Sequence, residues 1–160
     1  MTEIALVIPV FNEAGVIETT HAKITAIIDA LPHHFRIYYV DDGSTDGTDA
    51  SLERLAAQDE RVRILSLSRN FGHQAALTAG LDHAEGEVII TLDGDGQHPP
   101  EMISEMIQLI EQGYDIVQAQ RIEEDGGFSF KKITSEGFYW LINKISGTHV
   151  QPGAADFRAL

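Results

Sequence analysis

Five short apolar runs alternate with longer segments of helical periodicity, and this alternation constrains the fold of the 160-residue chain more than any other feature. The runs are IALVIPV (4–10), RIYYVDD (36–42), VRILSLS (62–68), EVIITLD (87–93) and DIVQAQ (115–120). Most are continuously apolar, the pattern of parallel strands covered on both faces. Between the first two, Val16, Ile17, Thr20, Ile24, Ile27, Ile28 and Leu31 recur at helical spacing. Met102, Ile103, Met106, Ile107 and Ile110 do the same after a double proline. Pro99 and Pro100 suit a first helical turn, where a missing N–H costs nothing, and Gly113 suits that helix's end. Repeated β-α units predict an α/β fold with a mostly parallel sheet flanked by helices, in a chain of about one domain's length.

Composition narrows the possible functions. The formal net charge of -14 argues against a broad nucleic-acid surface, which needs basic residues, but leaves room for a nucleotide held through a metal ion. The chain has no cysteine, which removes disulfides, thiolate chemistry and zinc–cysteine sites. No secretory signal is evident, and no stretch approaches the roughly 20 apolar residues that span a bilayer.

In open α/β sheets ligands sit beyond the carboxyl ends of the strands. Polar residues gather there after every run: Asn12 and Glu13, Asp41 and Asp42, Ser68 to Asn70, Asp93 and Asp95, and Arg121. Asp46 and Thr48 read either as helix-capping residues or as part of a site. Asp42, just past its strand, can accept a hydrogen bond from a nucleobase N–H or a ribose hydroxyl. If the segment is extended, Asp93 and Asp95 point the same way, and two such charges call for a cation or a shared proton. Oxygen-only donors favour Mg²⁺ or Mn²⁺, with Gln97 adding an amide oxygen or holding a metal-bound water. His73 reads as a surface or capping residue, and His98 as structural beside Pro99. Arg121 and Arg158 are each either a diphosphate clamp or a salt-bridged surface arginine. The chain has neither GxGxxG after its first strand nor GxxxxGK[ST].

Four segments in order, VIPVFNE (7–13), VDDGSTDGT (40–48), SRNFGHQAALTAGLDHAEGEVIITLDGDGQHPPEMI (68–103) and ADFRAL (155–160), resemble the inverting family-2 glycosyltransferases of GT-A fold. The similarity is to the branch that includes dolichol-phosphate mannosyltransferase and bacterial polyprenyl-phosphate glycosyltransferases. It implies metal-dependent transfer of a sugar from a GDP- or UDP-linked donor to a polyprenyl or dolichyl phosphate, with inversion at the anomeric carbon. By the same resemblance Pro9 and Glu13 line the nucleotide pocket, Asp42 contacts the base, and Asp93 lies near ribose and diphosphate. Asp95 and Gln97, with Asp93, hold the Mg²⁺ or Mn²⁺. Arg121 contacts phosphate, and Asp156 and Arg158 lie near the transferred sugar or the incoming phosphate. DGDGQ here replaces the DAD-type sequence of many relatives, a departure that affects loop rigidity more than ligation.

The acceptor side is expected between Phe128 and Gly147. Phe138, Leu141, Ile142 and Ile145 share a helical face, widened by Tyr139 and Trp140, and Lys131, Lys132 and Lys144 accompany a single acid, Glu136. Such a helix either lies on an anionic membrane surface or packs in a core with its lysines solvated. The first reading makes the fragment peripheral to the cytoplasmic side of a membrane. Relatives continue beyond the DFR-like segment, so the sequence is expected to be the N-terminal portion of the catalytic domain. Rival readings are a soluble same-fold enzyme using Asp156 as base for a saccharide hydroxyl, and a non-catalytic sugar-nucleotide-binding module. A phospho-acceptor signalling domain is a distant third, because neither its single mid-sheet Asp nor its late lysine is evident.

Overall fold

The computed structural model describes residues 1–96, 99–120 and 154–159, with backbone alone for Gln120 and 154–158. The chain divides into two compact units, Met1–Val117 with Asp156–Leu160, and Gln118–Ala155. The second holds most of β5 (Val117–Gln120) and otherwise lies largely outside the described residues.

The first unit is built around β1 (Glu3–Val10), whose residues from Ile4 to Val10 are all buried. Parallel neighbours flank it on both sides: β2 (His34–Asp41) and β4 (Val88–Thr91). β3 (Val62–Ser66) pairs parallel with the far edge of β2. The continuously apolar character of the first run therefore has the expected cause, because no face or edge of this strand meets water.

Side-chain alternation assigns the two faces. Ala5 and Val7 of β1 join Tyr38 and Val40 of β2 in a cluster with Ala76 of α3 (His73–His83). Helix α3 comes very close here: a Cβ on its Gly80 would collide with Val7 Cγ1 and stand 2.9 Å from Val40 Cγ2. The opposite face carries Tyr39, fully buried, whose hydroxyl lies 3.1 Å from Nδ1 of His21 on α1 (Ile17–Ile28). Helix α1 in turn packs against α2 (Thr48–Gln58) and α4 (Met102–Glu111). Helices thus cover both faces of a mostly parallel sheet, as the alternating pattern predicts.

Three expectations change in detail. β2, β3 and β4 end one or two residues earlier than their apolar runs, so Asp42, Leu67 and Asp93 lie just past the strands. The double proline precedes α4 instead of opening it: the N–H groups of Met102 and Ile103 donate to the carbonyls of Pro99 and Pro100 in a lead-in turn. Gly113 takes φ +96° after the helix, the left-handed stop expected of it. A sixth strand, β6 (Ala154–Ala159), was not anticipated; it pairs antiparallel with β4, Thr91 opposite Arg158 and Ile90 opposite Ala159. The segment Phe128–Gly147, with its proposed membrane face, lies outside the described residues. Among the described residues no helix is long and apolar enough to cross a membrane.

The close α3–β1 approach gives a stability expectation. Gly80→Ala should destabilise the chain by roughly 1–3 kcal/mol through overpacking against Val7 and Val40, read as a lower urea midpoint at unchanged m.

Candidate functional site

At the carboxyl end of the sheet a cavity of about 430 Å³ opens between the strand-end loops. β1 contributes Pro9 and Val10, and its following loop Phe11 and Glu13. Asp42 comes from beyond β2, Asn70, His73 and Ala76 from the loop and helix after β3, and Asp93, Gly94 and Asp95 from beyond β4. The structure therefore brings Pro9, Glu13, Asp42, Asp93 and Asp95 to one place.

Asp42 forms part of the floor and is only 2% exposed. Its two carboxylate oxygens accept from the backbone N–H groups of Phe71 and Gly72, at 2.8 and 2.9 Å. A buried carboxylate needs such donors to offset its lost hydration. The interaction ties the end of β2 to the start of α3, and Gly43 beside it allows the close approach. With φ +70°, a Cβ on Gly43 would stand 2.6 Å from Arg69 Cα and 2.8 Å from Asn70 N. Asp41, also buried, accepts from Ser44 N–H and shapes its own turn; it is not part of the cavity lining.

Asp93 and Asp95 share the cavity, though not through the pleat of an extended strand. β4 ends at Thr91, and a turn through Gly94 and Asp95 carries both acids into the same space. Gly94 is needed for packing, since a Cβ there would collide with Val10 Cγ1 and stand 3.0 Å from the Pro9 carbonyl oxygen. The glycine lets the acidic turn seat directly on the end of β1, which explains DGDG in place of DAD more fully than loop rigidity does. No Lys or Arg neighbours the acids in sequence, but His73 Nε2 stands 3.7 Å from Asp93 Oδ1. His73 is the first residue of α3, with Gly72 in the capping position and no side-chain cap hydrogen bond, and it belongs to the cavity lining.

Glu13 lines the same cavity. Its carboxyl is pushed above the ordinary range, first by partial burial, then by the nearby charges of Asp95 and Asp46. Negative charge therefore accumulates in the cavity lining, an arrangement that favours a cation among the carboxylates. Among the described residues no group of three His, Cys, Asp or Glu side chains is arranged to hold a metal by itself. Two carboxylates suit Mg²⁺ or Mn²⁺ when phosphate oxygens and water complete the shell, so the donors present fit such an ion.

Gln97, His98 and Arg121 lie outside the described residues. Asp156 and Arg158 are placed by backbone alone: β6 runs antiparallel to β4, so the residues preceding Arg158 lie toward the cavity end of β4. Of the other cavity residues, Phe11 was not singled out by the sequence reading, Asn70 was counted only among the strand-end polar residues, and His73 was read as a surface or capping residue. The signal was position, since each follows a strand or opens a helix at the same edge.

Asp42→Asn leaves one acceptor oxygen for two N–H donors. The variant should lose roughly 1–3 kcal/mol of stability, measured by urea unfolding. Unchanged stability would show that Asp42 does not hold the 71–72 backbone.

Comparison with known proteins follows the same lines. The profile described as Glycosyl transferase family 2 matches residues 5–159. An uncharacterized glycosyltransferase, YkcC of Bacillus subtilis, is 38% identical over 156 residues, covering 98% of this chain and 48% of that protein. The bactoprenol glucosyl transferase of Shigella phage SfV is 39% identical over 158 residues, covering 99% of this chain and 52% of its own. The chain spans about half the length of the curated relatives it matches. Among solved structures, glucosyl-3-phosphoglycerate synthase of Mycobacterium tuberculosis with Mn²⁺, UDP and phosphoglyceric acid shares the fold. Its TM-score is 0.69 at 20% identity, covering 99% of this chain and 55% of that one. The mannosyltransferase PcManGT of Pyrobaculum calidifontis, solved with GDP-Man and Mn²⁺, is 26% identical at TM-score 0.52, covering 59% of this chain and 28% of that one.

Proposed function

We propose, from the premise that the chain belongs to glycosyl transferase family 2, that it binds the donor and metal in an enzyme transferring a sugar from a nucleoside-diphosphate sugar to a polyprenyl phosphate. The observation that carries this reading is the convergence of Glu13, Asp42, Asp93 and Asp95 on a single cavity at the carboxyl edge of the sheet. Relatives named for bactoprenol glucosylation at 39% identity support the polyprenyl acceptor. PcManGT, solved with GDP-Man and Mn²⁺, supports a nucleotide-sugar donor used together with a divalent metal.

In this reading Pro9, Glu13 and Asp42 form the nucleoside end of the cavity. Asp93 and Asp95, together with Gln97, hold Mg²⁺ or Mn²⁺. When bound, the ion supplies positive charge that offsets the charge developing on the departing nucleoside diphosphate. Arg121, Asp156 and Arg158 belong to the phosphate and acceptor side. An acceptor phosphate oxygen attacks the anomeric carbon from the face opposite the leaving group. The bond from that carbon to the diphosphate oxygen breaks, and the nucleoside diphosphate leaves with the electron pair. A phosphate is already anionic near neutral pH, so the acceptor requires no general base. A polyprenyl acceptor sets the reaction at a membrane surface, on the cytoplasmic side where nucleotide sugars are available.

Calorimetry with GDP and UDP, with and without Mn²⁺, tests the donor site. One nucleotide should bind only with the divalent ion, and Asp95→Asn should weaken that binding by about tenfold or more. Metal-independent binding that survives Asp95→Asn would undo the assignment. With the full-length enzyme and polyprenyl phosphate, the product should carry the inverted anomeric configuration. Retention of the donor's configuration would rule out single in-line displacement.

A further inference from the structure

The residues that line the cavity do not explain why Glu13 stays where it is; two residues outside the lining do. Glu13 follows Asn12, a non-glycine residue held at φ +57°, in the loop between β1 and α1. Three successive backbone N–H groups of this loop donate to side chains of the loop after β2 and the first residue of α2. Asn12 N–H donates to Ser44 Oγ at 2.9 Å, Glu13 N–H to Thr48 Oγ1 at 2.8 Å, and Ala14 N–H to Asp46 Oδ2 at 3.1 Å. In return Thr45 N–H donates to Asn12 Oδ1 at 2.9 Å.

Thr48 and Asp46 form the centre of this arrangement. The Thr48 hydroxyl accepts from Glu13 and donates to Asp46 Oδ1 at 2.6 Å, so its single proton and one lone pair are both committed. Asp46 Oδ1 also accepts from Thr48 N–H at 3.0 Å, and its other oxygen takes the Ala14 N–H. These donors hold the Asp46 carboxyl below its ordinary range, the Thr48 hydroxyl contributing most. Thr48 is fully buried. On its other side, the Glu13 carbonyl accepts from Val16 and Ile17 N–H at the start of α1. The Glu13 backbone is thus fixed at both its N–H and its C=O, and only its side chain is left to meet a ligand.

We infer that Thr48 and Asp46 are positioning residues that act through Glu13, fixing its carboxylate in the cavity wall as an acceptor for the hydroxyl or N–H groups of a nucleoside diphosphate. The inference rests on the donor-site reading above. It assigns VDDGSTDGT a role besides helix capping: the last acid and threonine of the segment hold the neighbouring loop, while Asp42 at its start holds the loop after β3.

The test compares Thr48→Val, which keeps shape and removes the hydroxyl, with Thr48→Ser, which keeps it. Without ligand, the Glu13 amide should lose protection from hydrogen exchange in Thr48→Val and retain it in Thr48→Ser. Calorimetric titration with GDP or UDP and Mn²⁺ should give about tenfold weaker binding for Thr48→Val and near-unaltered binding for Thr48→Ser. In a Glu13→Gln background, Thr48→Val should add little further loss, because the two changes act on one contact. Full additivity, or undiminished binding by Thr48→Val, would overturn the inference. Should Thr48→Val fail to fold by circular dichroism, Asp46→Asn carries the same comparison through the Ala14 N–H and the Thr48 hydroxyl. Absence of GDP and UDP binding by the unaltered chain would overturn the donor-site reading and, with it, the role given to Glu13.

Discussion

The burial of β1 on both faces and along both edges is the constraint from which the rest of the molecule follows. Ala5 and Val7 on one side and Ile4, Leu6 and Ile8 on the other are all within 1% of complete burial, and parallel neighbours take the backbone hydrogen bonds. A strand so enclosed has no lateral surface on which to bind anything. Polar chemistry is displaced to its carboxyl end, where the chain leaves the ladder and free peptide groups appear. The cavity lies there because that is where the sheet stops satisfying its own backbone.

Carboxylates at that edge do two different jobs, and their partners separate them. Asp41, Asp42 and Asp46 accept backbone N–H groups, Asp41 within its own turn and the other two fastening loops to one another. Glu13, Asp93 and Asp95 line the cavity, where partial burial and then the charges of Asp95 and Asp46 raise the Glu13 carboxyl, and His73 stands near Asp93. The first group supplies rigidity, and the second supplies the charge that a divalent cation and a diphosphate would complete together. Asp42 belongs to both, since it holds the 71–72 backbone while forming part of the floor. Glycines 43 and 94 make this density possible, one against the Arg69–Asn70 backbone and the other against Val10 and Pro9.

The strands of the parallel sheet were legible because a doubly covered strand must be apolar at nearly every position, and the sequence shows this directly for β1. Helix α3 gave a weak periodic signal, since its contact with β1 uses Ala76 and Gly80, small residues chosen for closeness and not for hydrophobic contrast. β6 was missed because AADFRA carries a charge at its third and fifth positions and pairs antiparallel with β4, a pairing in which continuous apolarity is not required. Asp93 and Asp95 both line the cavity, and a turn carries them there where the pleat of a strand was expected to. His73 was out of reach of local reading, being 20 residues from Asp93 and adjacent only once α3 has docked. The loop contacts of Asp42, 29 and 30 residues away, were hidden for the same reason.

Paramagnetic broadening by Mn²⁺ tests most directly whether the acids beyond β4 and the loops after β1 and β2 make one metal–nucleotide site. Amide resonances of the isotope-labelled chain are recorded with Mn²⁺ alone, with the bound nucleoside diphosphate alone, and with both. The expected result is broadening centred on Gly94 and Asp95 that extends to Glu13 and is much stronger when nucleotide and metal are present together. Broadening spread over acidic surfaces away from the cavity, or unaffected by the nucleotide, would contradict a single site at the end of β1.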